Sequence, residues 1–316
     1  MEHLRELIRP YLAQTLMRDH PEGIRSIVLD SVLPTTYTVA ANWDNTRDGF
    51  DNLFQACAAE PACRAAHPRL KETFTGLVNK LEAEPLTTTV RDPVTGKDVK
   101  VVLDGGALIY WLRSHTYSVP TLRDPPDRIV GLAAGRRDSI EAIVKDRVVR
   151  AGPPASPDVP ALSYGLGLGV SCREDYPFAT PEDLAAAGRE AFPNYPASVQ
   201  REGVGGWAYF NEDCRDIWKV PPAPKTMHQP VASSIPTLLI SGSFDTLTSL
   251  AGAKAAAARL SHATIISIPG VGHTVSPWSP CAQAVINSFL AAPDHAPNTS
   301  CVGALKPPSF TSKASP

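Results

Sequence analysis

Two short segments near the C-terminus place an acid and a histidine directly after strand-like runs. In LLISGSFD, the apolar residues 238–240 precede a small polar turn that ends at Asp245. In IISIPGVGHT, the run 265–268 leads into a glycine-rich loop that carries His273. Because neighbouring parallel strands end at the same edge of a sheet, we expect these two side chains to meet there. A carboxylate beside an imidazole fixes the tautomer of the ring and stabilises its protonated form, as in nucleophilic catalytic triads.

Each of these residues alone also has an ordinary structural interpretation. An Asp after a strand commonly closes a turn or caps a helix, and a His among glycines is commonly a loop residue. Two features together favour chemistry: the strand–helix–strand spacing, and the order of acid before histidine. We therefore predict that Asp245 and His273 are catalytic and lie about 2.6–3.2 Å apart.

The flanking patterns predict an α/β fold whose parallel sheet is interrupted by a long, mostly helical insertion before its last two strands. A turn of Pro and Gly separates the first helix from the first strand. Inside the insertion we expect a hairpin around Asp92 and Gly96, a helix at residues 105–113, and a helix capped by Thr180. The helices expected in the sheet domain are 12–18, 251–260 and 282–290, and its strands are 24–29, 237–240 and 263–268.

A structureless insertion of this length is implausible, so we interpret it as a subdomain. The predicted organisation is residues 1–36 as a remnant of an N-terminal core, 37–223 as a helical cap, 224–303 as the C-terminal core with the acid and the His, and 304–316 as a tail.

Composition narrows the function classes. The 316 residues carry a net charge of −2, which gives no reason to expect nucleic acid or an anionic membrane as partner. Apolar stretches are shorter than the roughly 20 residues needed to cross a bilayer. The N-terminal MEHLRELIR resembles an amphipathic helix, so we expect no signal peptide in the sequence as written.

The six cysteines point to an oxidising compartment. None has the spacing of a zinc site, so we expect no metal and no other cofactor. Grouping by neighbourhood suggests three disulfides, although six cysteines allow fifteen connectivities. Disulfides would place the protein outside the cytoplasm, in conflict with the missing signal. The suggested pairs are Cys57 with Cys63, Cys172 with Cys214, and Cys281 with Cys301.

Several segments together resemble one family. The helix and strand of LAQTLMRDHPEGIRSIVLDSVLP (12–34) are similar to those that follow the nucleophile of α/β-hydrolases of the tripeptidyl-aminopeptidase and proline-iminopeptidase type. The motifs CAAEPAC (57–63), CREDYP (172–177), CRDIW (214–218), G-x-x-D (242–245) and G-x-G-H (270–273) complete the resemblance. It covers nearly the whole chain from Leu12 to about Cys301, and it implies a secreted serine exopeptidase or esterase.

The resemblance also implies how substrates would be recognised. Cap acids of such aminopeptidases hold the free ammonium group of the peptide. The corresponding candidates are Glu174, Asp175, Glu212 and Asp213, with Trp207 as an aromatic candidate for the substrate cleft.

The chain departs from the family at the nucleophile. The expected G-x-S-Y-G-T is absent, and counting back without gaps places Leu7 where the Ser belongs. Arg9 and Pro10 replace residues that let the turn close tightly. We therefore expect this chain to be inactive by itself, because of an incomplete N-terminus or a nucleophile on a complementing N-terminal chain. The alternative is a catalytically inactive relative that binds peptides or a partner.

Overall fold

The computed structural model describes residues 10–92, 95–149, 164–203, 213–307 and 309–310. In chain order, its named elements are α1 (Pro10–Asp19), β1 (Ile27–Asp30), α2 (Asn42–Ala59), α3 (Pro61–Ala66), α4 (Leu70–Ala83), β2 (Leu86–Arg91), β3 (Asp98–Leu103), α5 (Gly105–Tyr117), α6 (Pro125–Ala133), α7 (Arg137–Val149), α8 (Tyr164–Glu174), α9 (Pro181–Ala191), α10 (Ala197–Glu202), β4 (Thr237–Gly242), α11 (Leu250–Ala257), β5 (Ala263–Ile268) and α12 (Pro280–Ala291).

Three parallel strands form the sheet that carries the site. Their order is β1–β4–β5, and β4 pairs with both neighbours in parallel. Every residue of β4 is buried, as expected for a central strand with a continuous apolar sequence. This sheet, with helices around it and a long helical insertion between β1 and β4, confirms the predicted partial α/β-hydrolase fold.

Helices cover both faces of this sheet. Because successive side chains of a strand point to opposite faces, Leu239 lies on one side of β4, and Leu238 and Ile240 lie on the other. Leu239 packs in a cluster with α1 and α11 through Met17 and Ala253. The opposite face packs against Val285 and Phe289 of α12, together with side chains of β5.

Most of the insertion packs around one large apolar cluster, built mainly from α2, α4 and α5 and the hairpin of β2 and β3. Aromatic rings fill its centre, where Phe50 of α2 contacts the rings of Phe54, Phe74 and Phe192. Phe244 belongs to the same cluster although it lies in the turn after β4. The cap core therefore continues directly to the residue before Asp245.

Three disulfides connect the cysteines in the pairing that neighbourhood suggested. Cys57–Cys63 joins α2 to α3, and Cys172–Cys214 joins α8 to a π-helical turn at Cys214–Trp218. Cys281–Cys301 ties α12 to the segment that follows it. Such bonds are compatible with an extracellular location.

Most differences from the predicted elements concern their ends. β1 starts three residues later than predicted, after the turn at Gly23, which has positive φ. α11 ends at Ala257 instead of 260, because Leu260 leaves the helix for a parallel bridge with Ser233. The expected hairpin and the capping box of Thr180 are present.

The difference with the largest consequence is in α5, which continues to Tyr117, four residues beyond the predicted end at Arg113. Its last turn reaches the loop that carries His273. Separately, none of the helices in the described ranges is both long and apolar enough to span a membrane.

Candidate active site

The turn after β4 fixes Asp245 in a fully enclosed position. Ser243 and Phe244 donate their amides to carbonyls of β5 and of the following loop, which holds the turn against the sheet. The Asp245 carboxylate is 1% exposed and accepts hydrogen bonds from the amides of Leu247 (2.8 Å) and Thr248 (2.9 Å). The Thr248 hydroxyl also donates to its Oδ2. These donors satisfy a buried charge that would otherwise be costly.

His273 lies beside this carboxylate. Its Nδ1 is 2.9 Å from Oδ2 of Asp245 and 3.1 Å from Oγ1 of Thr248. The backbone amide of His273 donates to the carbonyl of Tyr117 at 2.8 Å, and the Tyr117 ring meets the imidazole edge-on. Because Nδ1 faces Asp245, Nε2 is the nitrogen that can exchange a proton with a reacting group.

The electrostatics of the pair favour its charged form. Burial alone would lower the pKa of His273, but the charge and hydrogen bond of Asp245 more than offset it, so this pKa is raised. Burial would likewise raise the pKa of Asp245, yet its interactions with His273 and Thr248 hold that pKa below its ordinary value. The arrangement can stabilise an imidazolium, which is the task of the acid in a triad.

A buried arginine from the cap approaches the same site. Arg113 of α5 is 6% exposed, and its Nη2 donates to Oδ1 of Asn42 at 3.2 Å. Its backbone carbonyl accepts from the hydroxyl of Thr246, so the arginine is fixed to the turn that carries Asp245. Burial lowers the pKa of Arg113, and its positive charge in turn lowers the pKa of His273. Arg113 therefore opposes the effect of Asp245.

The end of β1 holds the loop that follows His273. The Asp30 carboxylate accepts from the amides of Val275 and Ser276, each at 2.8 Å. The hydroxyl of Ser31 accepts from the amide of Thr274 at 2.9 Å. Sequence reasoning missed these residues, although Asp30 directly follows the strand predicted at 24–29, so the same strand-end argument could have selected it.

Some of the predicted cap acids act electrostatically on nearby tyrosines. Asp175, directly after α8, is half-buried, and its charge adds to burial in raising the pKa of Tyr11, Tyr37 and Tyr176. Asp213 contributes to the same effect on Tyr176. Glu174 acts more weakly on Tyr11, and its backbone carbonyl lies 2.8 Å from Nε2 of His228.

Tyr37 connects these acids with the rest of the site, because the positive charge of Arg113 lowers its pKa while Asp175 raises it. Three of the predicted residues lie outside the described residues, namely Leu7 at the expected nucleophile position, and Trp207 and Glu212 in the cap.

A cleft of about 470 Å³ opens beside the acid, between α2 and the C-terminal core. Asp48, Asp51 and Asn52 of α2 line one wall, and Lys254 and Ser267 line the other. Asp245 contributes to the cleft, whereas His273 is not among its lining residues. The cleft therefore borders the acid without reaching the imidazole.

Comparison with known families adds one match. Residues 203–301 match the model of a family described as TAP-like protein (Abhydrolase_4). The matched stretch contains β4, Asp245, β5 and His273. None of the curated proteins compared with the chain matches it significantly.

Proposed function

We propose that this chain, whose residues 203–301 match the model of the TAP-like protein family, is a serine hydrolase component that acts on peptides or esters. Peptides would be cleaved near a free N-terminus. The observation that carries the proposal is the 2.9 Å contact between Nδ1 of His273 and Oδ2 of Asp245 at the carboxyl ends of neighbouring strands.

In this proposal Asp245 and His273 act as the acid and the base of a triad. Asp245 holds the ring in the tautomer that has its proton on Nδ1, so Nε2 is free to accept the proton of a nucleophilic hydroxyl. The same nitrogen then returns the proton to the leaving group. The enclosed carboxylate stays ionised through both steps, because its four contacts favour the charged form.

The nucleophile would have to be supplied to this pair. The 316 residues contain no G-x-S-x-G, and counting back without gaps assigns Leu7, Arg9 and Pro10 to the positions of the family's nucleophile turn. A leucine side chain cannot attack a carbonyl carbon. We therefore propose that the chain as written is inactive alone, and that activity requires an N-terminal segment or chain that brings the Ser and its oxyanion donors.

We further propose that cap acids recognise the ammonium group of a peptide. Asp175 is the best-supported candidate, since its charge raises the pKa of three tyrosines. The pKa of one of them, Tyr37, is also lowered by the charge of Arg113. Glu174 and Asp213 lie in the same neighbourhood, which the Cys172–Cys214 disulfide holds together. Glu212 and Trp207 complete the set on the basis of the family resemblance alone. The three disulfides support a proposed extracytoplasmic location.

The first test asks whether the chain turns over substrate alone. Wild type and His273→Ala are assayed on aminoacyl anilides and short-chain esters and labelled with a fluorophosphonate probe. We expect equal background rates and no labelling. Turnover that disappears in His273→Ala would instead reveal a nucleophile within this chain.

The second test asks whether the pair can serve a supplied nucleophile. The chain is co-expressed with an N-terminal hydrolase segment that carries G-x-S-x-G, taken from the DNA upstream of its start codon if that is in frame. Labelling of that Ser, reduced at least a hundredfold by His273→Ala, would support the proposal. Labelling that His273→Ala leaves unchanged would refute it and favour a binding protein without catalysis.

A further inference from the structure

Two residues that are distant in sequence but hydrogen-bonded to each other have backbone conformations that residues other than glycine rarely adopt. Ser31, directly after β1, has φ of 61°, and Thr274, directly after His273, has φ of 62°. For a β-branched residue such as Thr this left-handed conformation is strongly disfavoured. Such conformations persist only where surrounding contacts enforce them.

These two unusual backbone conformations are held in part by a contact between Ser31 and Thr274 themselves. The hydroxyl of Ser31 accepts the amide of Thr274 at 2.9 Å, and the Ser31 amide donates to the carbonyl of Ile240 in β4 at 2.8 Å. Ser31 is 3% exposed, so water does not compete for this hydroxyl. The unusual conformation of Thr274 is therefore anchored through Ser31 to the central strand.

Asp30 completes the arrangement with both of its carboxylate oxygens. Oδ1 accepts the amide of Val275 and Oδ2 accepts that of Ser276, so that three consecutive amides after His273 are bound by two consecutive residues at the end of β1. Hydrogen bonds to an ionised acceptor are stronger than neutral ones. On the other side, the amide of His273 is held by Tyr117 of α5.

From these contacts we infer that Asp30 and Ser31 are positioning residues for His273: they clamp residues 274–276 in the one conformation that presents the imidazole to Asp245. The proposed function gives the clamp its purpose, but the clamp can be tested without turnover. Asp30, Ser31 and residues 274–276 together form this clamp.

Charge provides a second effect of the clamp. The charged groups that act on the imidazole are Asp245 after β4, Asp30 at the end of β1, and Arg113 of α5, while the ring of Tyr117 lies against its edge. Asp30 acts in the same direction as Asp245 and raises the pKa of His273. Loss of its charge should therefore lower that pKa even if the loop keeps its shape.

The experiment uses the full oxidised chain with ¹³Cε1-labelled histidine, and it follows the His273 titration and amide hydrogen exchange by NMR. Asp30→Asn should lower the pKa of His273 and speed exchange of the Val275 and Ser276 amides about tenfold. The control Asp294→Asn removes the same charge from an exposed turn after α12, and both readouts should stay at their wild-type values. An Asp30→Asn protein with unchanged pKa and unchanged exchange would overturn the inference.

A second pair of variants isolates the hydroxyl. Ser31→Gly removes the acceptor while tolerating positive φ, and it should speed exchange of the Thr274 amide about tenfold. Thr274→Gly adopts the left-handed conformation freely, so in that background Ser31→Gly should no longer shift the His273 resonance. A shift of equal size in both backgrounds would show that Ser31 does not act through Thr274. None of these results depends on hydrolysis, so failure of the clamp and failure of the proposed function are separable.

Discussion

At the scale of single residues, the site depends on how a buried carboxylate is kept ionised. Asp245 is enclosed by the turn that carries it, and every group that contacts its oxygens donates or shares a proton. His273 is the only one of these partners that titrates near neutral pH. The stability of the site should therefore depend on pH in a way that reports the pair directly.

The first prediction concerns Asp245→Asn. A raised pKa of His273 stabilises the fold fully below the unfolded pKa, and this contribution is lost as pH rises through the folded value. The lowered pKa of Asp245 contributes above the unfolded pKa of about 3.9 and is lost as pH falls through the folded value. The free energy of unfolding lost in Asp245→Asn, measured in urea, should thus be larger at pH 5.5 than at pH 9.

Asp294→Asn serves as the control, because it removes an exposed carboxylate and its effect should be the same at both pH values. If the loss caused by Asp245→Asn were constant from pH 5.5 to pH 9, the ionic interaction with His273 would be ruled out as its source.

A second prediction concerns Thr248, whose hydroxyl donates to Asp245 and also approaches His273. Thr248→Val keeps the shape but removes that donor, which should destabilise the protein by about 1–3 kcal/mol and raise the pKa of Asp245. Urea unfolding at pH 7 measures the change. Thr248→Ser retains the hydroxyl and should lose less than half as much. A Thr248→Val variant as stable as the wild type would contradict the role of the hydroxyl.

At the scale of elements, the end of cap helix α5 contacts the loop that carries His273. The carbonyl of Tyr117, at the end of α5, approaches Gly272 so closely that a Cβ there would collide with it. A Cβ at Gly242 would in turn collide with the carbonyl of Gly272. Gly242 and Gly272 are therefore required, because the backbones of β4, the His273 loop and α5 approach one another closely at these two positions.

The third prediction follows from this close approach. Gly272→Ala should destabilise the protein by about 1–3 kcal/mol, because the overpacked backbone must separate from α5. The hydrogen bond from His273 to Tyr117 should weaken as well, which amide exchange at His273 would detect. The matched control is Gly76→Ala in α4, where a Cβ meets open space. That change should stabilise the protein by about 0.5–1 kcal/mol. A Gly272→Ala variant as stable as the wild type would contradict the contact.

The sequence was sufficient to predict the elements that carry Asp245 and His273, but not the contacts that join these elements to the cap. Periodicity and strand-end logic locate β4, β5, Asp245 and His273, because these signals are local. The last turn of α5 carries no such signal, since the hydrogen bond from Tyr117 to the amide of His273 uses only a backbone carbonyl and the contact of its ring is long-range. The role of Arg113 could not be predicted either, because an arginine in a helix is usually exposed and only the structure shows that this one is buried. The contacts that complete the site are long-range.

At the scale of the whole molecule, one covalent link holds a region that lies outside the large apolar clusters. Cys172 and Cys214 pack in a small cluster with Tyr176 that is separate from the large cap core. This disulfide closes a separation of 42 residues, whereas Cys57–Cys63 closes one of 6.

The fourth prediction compares the two links. Loop-closure entropy gives about 4 kcal/mol for the longer loop and about 2.4 kcal/mol for the shorter one. The double variant Cys172→Ala with Cys214→Ala should therefore unfold at lower urea concentration than Cys57→Ala with Cys63→Ala. The reverse order would mean that the links act on the folded state and not on the entropy of the unfolded chain.

The clamp joins residues that are very distant along the chain: Asp30 and Val275 are separated by 245 positions. A contact of this kind has a high contact order, and its formation requires the chain between to be gathered first. Local helices of the cap can form early, and each shortens the effective loop that remains to be closed. On refolding, the His273 loop should therefore acquire its protection against hydrogen exchange among the last regions of the protein. The site then forms late in folding. A folding intermediate with a formed cap but an incomplete sheet would expose the apolar strands β4 and β5 and would be prone to aggregate.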